Sequence, residues 1–339
     1  MSCYIIGSGA ALPERIVSNA ELAPLLGVTA DWIETNSGIR ERRWIDANQA
    51  TSDLATQALG DALHNANINA EQVDYLIGCT LSPDYQTPGI APLVQRKLAG
   101  CRQIPAIDLR AACSGILYSL QLGRSLITAK AAKTVACFGA EAQSKGLDIS
   151  RRSAELSMLF GDGAGAIVLC DEPQKGDKHF SLKVEDVLIA TDGNFAEDLL
   201  VRAPGTANGA RWIDAEQMAA NLLYGSMNGR TVIMQAVKKM TDAATEILAR
   251  NLVSIDQVSA LIPHQANANL LRVLSNRLQF PQERVICNIN RYGNTSGASA
   301  FLALWQAQRE QRLERNSYAL ILTFAAGFTW GAALCKVCD

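Results

Sequence analysis

The sequence predicts an α/β protein built from two related halves. First, the chain repeats itself at an offset of 185 residues: 62–80 reads ALHNANINAEQVDYLIGCT and 247–265 reads ILARNLVSIDQVSALIPHQ. Leu63 matches Leu248, Gln72 matches Gln257, and Leu76-Ile77 matches Leu261-Ile262. The same offset carries Thr134–Ala140 onto Ala319–Ala325, and the turn at Cys113 onto Gly297-Ala298-Ser299. Agreement at one offset in three places argues for a duplicated unit. Second, strand-like apolar runs alternate with helical periodicity in both halves. Third, 339 residues with 48% hydrophobic and 19% charged residues suffice for a large core.

Strands are expected at Val73–Thr80, Ile104–Leu109, Thr134–Phe138 and Ala164–Leu169, and helices at Thr51–Asn65 and Thr231–Asn251. Such alternation implies largely parallel sheets covered by helices. The polar segment Asp171–His179 separates a first half, 1–173, from a second, 174–339. Two related halves packed together would bring matching strand ends to a pseudo-twofold axis, where open α/β sheets bind ligands.

The formal charge of −2 offers no polybasic surface for nucleic acid or anionic membrane. No apolar stretch is long enough to span a bilayer. Met-Ser-Cys-Tyr-Ile-Ile-Gly lacks the basic and long apolar regions of a signal peptide, so a cytoplasmic, reducing location is expected. The nine cysteines show no zinc-like pairing, and the one CxxC, Cys335 and Cys338, reads as a coincidence of the tail. Cys79, Cys137, Cys170 and Cys287 lie in apolar runs and read as buried small hydrophobes.

Cys113 stands in Asp-Leu-Arg-Ala-Ala-Cys-Ser-Gly (108–115), between an apolar strand and an apolar helix. Unpaired N–H groups and the dipole at a helix start favour thiolate. They can lower a thiol from about 8.5 into roughly the 3.5–7.5 range. Of three histidines, His64 and His179 fall in polar surroundings and read as solvated. His264 follows the apolar run 259–263, at a strand end of the second half, with Cys113 at the matching level of the first. Asn294, in Asn-Arg-Tyr-Gly-Asn-Thr-Ser-Gly-Ala-Ser (290–299), has turn chemistry around it, yet occupies the position symmetric to the run into Cys113. Gly7-Ser8-Gly9-Ala10-Ala11-Leu12 fails the dinucleotide fingerprint at its last position. Gly161-Asp162-Gly163-Ala164-Gly165 lacks the Lys-Ser/Thr of a phosphate loop and reads as a bend into a strand.

Ala-Ala-Cys-Ser-Gly, Pro-His-Gln-Ala-Asn, Arg-Tyr-Gly-Asn-Thr-Ser, Phe-Gly-Asp-Gly-Ala-Gly-Ala and Gly-Phe-Thr-Trp-Gly (327–331) resemble β-ketoacyl-acyl-carrier-protein synthase III, as do Asp31-Trp32-Ile33 and 37–42. The likeness covers nearly the whole chain. It implies a thiolase-type five-layered αβαβα fold, a homodimer, and a Cys113, His264 and Asn294 site. Cys113 would take an acyl group from acyl-CoA or another thioester. A malonyl thioester, on coenzyme A or acyl carrier protein, would then condense with it, with no metal or redox cofactor. The N–H groups of Cys113 and Ala326 would form the oxyanion hole. Trp32 and Arg152 would sandwich the coenzyme A adenine, with Asn36, Thr87 and Phe324 also in the substrate site.

Three positions depart from the family's basic mouth: Asn36, Met234 and Asn269 stand where cations are expected. Either Arg230, Arg272 or Arg277 compensates, or the carrier or donor differs. Thr87 stands where short-chain members tend to carry an aromatic, which implies acyl groups longer than acetyl. Ser82-Pro83-Asp84 also resembles specialised relatives that make quinolone-type signals from an aromatic donor. Ala325-Ala326 replace glycines of the family's turn. A papain-like cysteine hydrolase shares the order Cys, His, Asn, but not the duplicated α/β pattern. Type III polyketide synthases end in a different glycine loop. Thiolases want a second catalytic cysteine or glutamate.

Overall fold

The computed structural model describes residues 2–101, 103–174 and 181–338. His179 lies outside them, as does part of the expected junction at Asp171–His179. Nine strands form one sheet: β1 (Tyr4–Ala11), β2 (Tyr75–Cys79), β3 (Ala106–Leu109), β4 (Thr134–Glu141), β5 (Gly163–Cys170), β6 (Leu182–Thr191), β7 (Val258–Pro263), β8 (Tyr318–Ala325) and β9 (Thr329–Val337). Seven helices position the core and the site: α1 (Ala30–Ser37), α2 (Thr51–Asn65), α3 (Ile90–Lys97), α4 (Gly115–Thr128), α5 (Gly229–Arg250), α6 (Ala268–Arg277) and α7 (Ser299–Arg309).

The spatial order is β7-β8-β9-β6-β1-β5-β4-β2-β3. The two halves mirror each other about the β1–β6 seam, where Tyr4 pairs with Lys183 and Ile5 with Leu182. Leu76-Ile77 of β2 and Leu261-Ile262 of β7 hold equivalent places, as the repeat requires. Even the outer strand β3 has a counterpart, a parallel bridge from Leu261 to Val285.

The sheet is mixed rather than largely parallel. β2 pairs in parallel with β3 and β4, and β7 with β8. The other five pairings are antiparallel. Helical crossovers give parallel neighbours, and that part of the expectation holds where a helix intervenes. It fails at β8–β9, joined by a tight turn after Ala325, and at β4–β5, joined without a full crossover helix.

Helix α2 covers β1, β5 and β4 on one outer face, burying Leu54, Ala58, Leu59 and Ala62. A Cβ at Gly9 would lie 2.2 Å from Ala58 O, so the glycines of Gly7-Ser8-Gly9 exist to let α2 sit on the strand. Helix α5 covers β8 and β9 on the other outer face through Val237, Met240, Ala244 and Ile247. Between the two halves lie α4 and α7, with Ile116, Leu117, Leu120, Phe301 and Leu304 in one shared core. These are the layers of a thiolase-type αβαβα fold. From Ser299 to Leu304, α7 is apolar or small all round and no residue exceeds 1% exposure, as a helix packed on every side demands.

Cys79, Cys137 and Cys170 are buried as expected. Cys287 is exposed, because it follows the inward-pointing Ile286 in extended chain and faces the opposite way.

The central layer leaves no room to grow. A Cβ at Gly139 would stand 2.4 Å from Gly297 O, a backbone atom. We expect Gly139→Ala to cost about 1–3 kcal/mol, read as a lowered urea midpoint. Gly60, inside α2 with nothing within 4 Å of where a Cβ would stand, is the control. Gly60→Ala should raise the midpoint, by up to about 1 kcal/mol.

Candidate active site

Two matched turns build the site. In the first half a 3-10 turn, Ala112–Ser114, leads into α4. In the second, Ser296–Ala298 leads into α7. Each turn opens on a non-glycine residue in the left-handed region, Ala112 at φ 47° and Ser296 at φ 46°. Such a conformation costs on the order of 1–3 kcal/mol and persists only where packing over-determines it. Here each turn is pressed against the other.

The half-buried Cys113 places its Sγ 3.6 Å from Ser296 Oγ. Beside it Ser114, fully buried, accepts from Thr323 Oγ at 2.9 Å and donates to Thr329 O at 3.3 Å, which ties the turn to the β8–β9 hairpin. Cys79 lies beneath, its sulfur 3.6 Å from Ala112 O. Burial pushes the Cys113 thiol up to about 12; the Ser296 hydroxyl opposes the rise and the charge of Glu141 adds to it. The expected lowering is therefore wrong. Helix α4 begins two residues beyond the sulfur, and desolvation outweighs its dipole.

His264 follows β7, and its N–H donates to Leu322 O at 2.8 Å. Its Nδ1 is 3.0 Å from Ser299 Oγ, the first residue of α7, and that oxygen also accepts from Gln265 N–H at 2.7 Å. Gln265 is itself held by Pro263 O, Ile286 O and Asn288 N–H. With Nδ1 engaged, Nε2 is the ring atom left for chemistry. Burial lowers the imidazole from 6.5 to about 4, so it is neutral at pH 7.

Asn294 N–H donates to Leu159 O at 2.7 Å, and its carbonyl accepts from Gly161 N–H at 3.1 Å. The bend at Gly161-Asp162-Gly163 thus braces the amide. A Cβ at Gly161 would lie 2.1 Å from Tyr292 O. Buried Asp162 accepts from Ile45 N–H and Ser144 N–H to fix the bend. Asn294 Oδ1 accepts from Ser296 N–H at 2.8 Å, so its donating end is what remains to offer a ligand. The segment Asn294–Ser299 therefore touches all three: it contains the amide, meets the thiol at Ser296, and holds the imidazole at Ser299.

Ala326 sits in the β8–β9 turn, one residue past the last ladder pair, Ala325 with Thr329. Phe324 is buried, its ring 4.8 Å from Phe328, which stacks on Phe195 at 5.1 Å. Trp32 is half-buried in the first turn of α1, and its carbonyl accepts from Asn36 Nδ2 at 2.7 Å. Arg152 pairs with Asp148 and lies over the ring of Tyr224, 5.7 Å from its centre. Tyr224 is the aromatic the structure gives Arg152, and no spacing in the sequence signals it. Asn269 donates to Thr35 O at 3.1 Å and Asn267 to Asn36 O at 2.8 Å, so amides cap the end of α1 where a cation was expected. Thr87 and Met234 are exposed.

Sequence reasoning missed Ser296, Ser299 and Glu141. Asn-x-Ser is an Asx-turn pattern, in which the asparagine oxygen takes the serine N–H, and that signal pointed to Ser296. Nothing local pointed to Ser299 or Glu141, whose partners are remote in sequence.

The 3-oxoacyl-acyl-carrier-protein synthase III family signature matches residues 107–193, and its C-terminal signature residues 248–337. The β-ketoacyl-acyl-carrier-protein synthase III of Clostridium perfringens is 38% identical over 98% of both chains. That of Nitratidesulfovibrio vulgaris is 38% identical over 97% of both. The crystal structure of the Aquifex aeolicus 3-oxoacyl-acyl-carrier-protein synthase III superposes with a TM-score of 0.86 at 35% identity, covering 98% of this chain and 99% of that one. Fold and comparisons together define an acyltransferase of the thiolase-fold condensing class. Within it, the chain belongs to the β-ketoacyl-acyl-carrier-protein synthase III family.

The neutral ring has a consequence for pH. A histidine depressed by burial keeps its uncharged form as pH falls through 6.5 and loses it only near 4. Malonyl decarboxylation, followed from pH 8 to pH 4 on the acylated enzyme, should show its acid limb near 4. An inflection at the ordinary imidazole value would contradict this.

Proposed function

We propose that Cys113, His264 and Asn294 carry out both half-reactions of this condensing enzyme. The observation that carries the reading is the convergence of all three on Asn294–Ser299. In the first step Nε2 of neutral His264 takes the proton of Cys113 as the sulfur bonds to the carbonyl carbon of an acyl-CoA. A thiol near 12 does not stand ready as thiolate, so proton removal accompanies attack. The N–H groups of Cys113 and Ala326 receive the oxyanion, each worth about 3–4 kcal/mol of barrier. The carbon–sulfur bond of the donor then breaks, and its thiol leaves with the proton returned from His264.

In the second step a malonyl thioester loses CO2. His264 Nε2–H and Asn294 Nδ2–H donate to the thioester oxygen and stabilise the enolate. Ser299 supports this tautomer, because its hydroxyl can donate to Nδ1 while accepting from Gln265 N–H. The enolate carbon attacks the acyl-cysteine, a carbon–carbon bond forms, and the sulfur leaves as thiolate and takes a proton from solvent, the one proton the overall condensation consumes. Every electron and proton is accounted for without a metal or redox group. The acyl-carrier-protein in the relatives' names is the carrier we assign to the malonyl and product thioesters.

Trp32 in the first turn of α1, with Arg152 and Tyr224, forms the surface we assign to the coenzyme A adenine. The likeness to the priming β-ketosynthase of the R1128 polyketide pathway, 26% identical with a TM-score of 0.85, favours a polyketide-type priming role as a second reading, to which the small Thr87 would add a longer acyl donor. Asp84 supports it by accepting from Ser52 N–H and Ser52 Oγ, which clamps the 82–88 loop and presents Thr87 outward.

A second copy of the chain is part of the proposal. Strand β3 is the free edge of the sheet, with Ile107 37% exposed, and nearby Leu81 and Tyr85 are 37% and 61% exposed. An apolar open edge is a pairing template. Nine free cysteines suit a reducing cytoplasm. Among the described residues no helix is long and apolar enough to cross a membrane.

Incubation with an acyl-CoA should add one acyl mass at Cys113. His264→Ala and Asn294→Ala should each lower decarboxylation by at least about 100-fold, and Asn294→Ala should leave acyl transfer within a few-fold. Label on another cysteine would overturn the nucleophile assignment. Light scattering at micromolar concentration should give the mass of a dimer; a monomer would overturn the edge-pairing reading.

A further inference from the structure

One buried cation lies behind the site without a part in either half-reaction. Arg42 is completely buried, in a short strand, Glu41–Arg43, that pairs with Ile16–Ser18. Its Nη1 donates to Asn19 Oδ1 at 2.7 Å and to Val17 O at 3.3 Å, and its Nη2 donates to Met158 O at 2.9 Å. All three acceptors are neutral oxygens, and Nε is buried without an acceptor. Burial lowers the guanidinium to about 10 against the pull of Glu41, so it is charged at pH 7. A buried charge held only by neutral oxygens is a costly way to fill space. What it offers, and an apolar side chain does not, is a rigid fork that grips several oxygens at once.

The oxygens in that grip lead to Asn294. Met158 is followed by Leu159, whose carbonyl accepts from Asn294 N–H at 2.7 Å, and then by Gly161, whose N–H donates to Asn294 O at 3.1 Å. The backbone of Asn294 thus hangs between two groups of the segment 158–162. Residues 40–45 pin that segment at further points. Asp162 N–H donates to Arg43 O at 2.7 Å, Ile45 N–H to Asp162 Oδ2 at 2.8 Å, and Trp44 Nε1 to Phe160 O at 3.5 Å. On the other side of the amide, Arg40 N–H donates to Asn290 O at 3.0 Å. The stem of Arg42 fills the space between: a Cβ at Gly161 would lie 3.0 Å from Arg42 Cβ, and one at Gly293 would lie 3.2 Å from it. Gly293, at φ 66°, immediately precedes Asn294.

The other two site residues are held elsewhere. Ser114 ties the turn of Cys113 to Thr323 and Thr329, and Ser299 holds the His264 ring and Gln265 N–H; none of these bonds involves residues 40–45. We infer that Arg42 is a positioning residue for Asn294: its fork locks the segment from which the amide hangs, and so places the enolate-stabilising donor of the second half-reaction without acting on the first. A donor displaced by a fraction of an ångström loses much of its effect on a transition state. The inference rests on Asn294 acting in malonyl decarboxylation.

Two rates of the full-length enzyme test it: acylation of Cys113 by an acyl-CoA, read as added mass, and CO2 release from malonyl-acyl-carrier-protein by the acylated enzyme. Arg42→Met keeps the stem against both glycines and removes the fork. It should lower CO2 release at least about tenfold and leave acylation within about threefold. Placed on Asn294→Ala, the same change should cost less than about twofold, because residues that act as a unit do not add. Equal losses in the two rates, an undiminished loss on top of Asn294→Ala, or unchanged CO2 release would each overturn the inference. Leu59→Ala, in the outer helix α2, is the structural control. It should lower the urea midpoint without separating the two rates, and the same separation there would overturn the inference too. Where Arg42→Met fails to fold, Arg42→Lys, which keeps the charge and loses the fork, is read by the same two rates with the same outcomes. Unchanged CO2 release in Asn294→Ala alone would overturn the role of Asn294 and this inference together, whereas a loss there with none in the Arg42 variant would overturn this inference alone.

Discussion

Two helix starts are buried face to face, and the rest of the site depends on that constraint. A helix start carries unpaired N–H groups, which a protein ordinarily leaves to water or to a cap. Here neither α4 nor α7 has a side-chain cap at its first residue. Their 3-10 turns press together between the two halves instead. Small residues make the close approach possible: a Cβ at Gly115 would lie 2.1 Å from Cys79 Sγ, and one at Gly297 would lie 3.0 Å from Glu141 Oε1. The reacting groups stand where backbone donors are concentrated, which is what an oxyanion needs.

Burial on this scale sets the chemistry as much as the residue types do. It moves the thiol up and the imidazole down, so both partners rest uncharged. A standing thiolate–imidazolium pair would be the reactive choice for attack alone. A neutral pair suits the reading proposed above, in which the histidine later donates to an enolate, because the ring returns to an uncharged form between steps. Ser299 makes this workable: one hydroxyl on Nδ1 can accept or donate, and so can support either tautomer.

The duplication was legible because strands buried on both faces read as unbroken apolar runs, and Leu76-Ile77 and Leu261-Ile262 lie in equivalent strands, β2 and β7. Strand direction was not legible, since apolar periodicity carries no sign. Only the short turn after Ala325 hinted at the β8–β9 hairpin. The places of Cys113, His264 and Asn294 could be read from strand ends and small-residue turns. The state of the thiol could not. It is set first by burial, which the Ser296 hydroxyl opposes and Glu141 augments, and those two reach Cys113 across the fold from 183 positions away and from the end of β4.

The mouth of the site shows a different kind of illegibility. Asn36 and Asn269 look, in sequence, like lost cations, and Asn267 is the last residue of Pro-His-Gln-Ala-Asn. In the fold they are a set: Asn36 caps Trp32 O, and the other two reach from α6 to the last carbonyls of α1. A cation at the position of Asn269 could steer an anionic carrier through solvent, but that attraction is screened within about a Debye length of 8–10 Å. Amides trade this long-range pull for a fixed helix end. Trp32 is carried on that helix, so the trade favours a donor recognised by contact over one gathered by charge. In the adenine site proposed above, the ring of Tyr224 under Arg152 would be a second aromatic face.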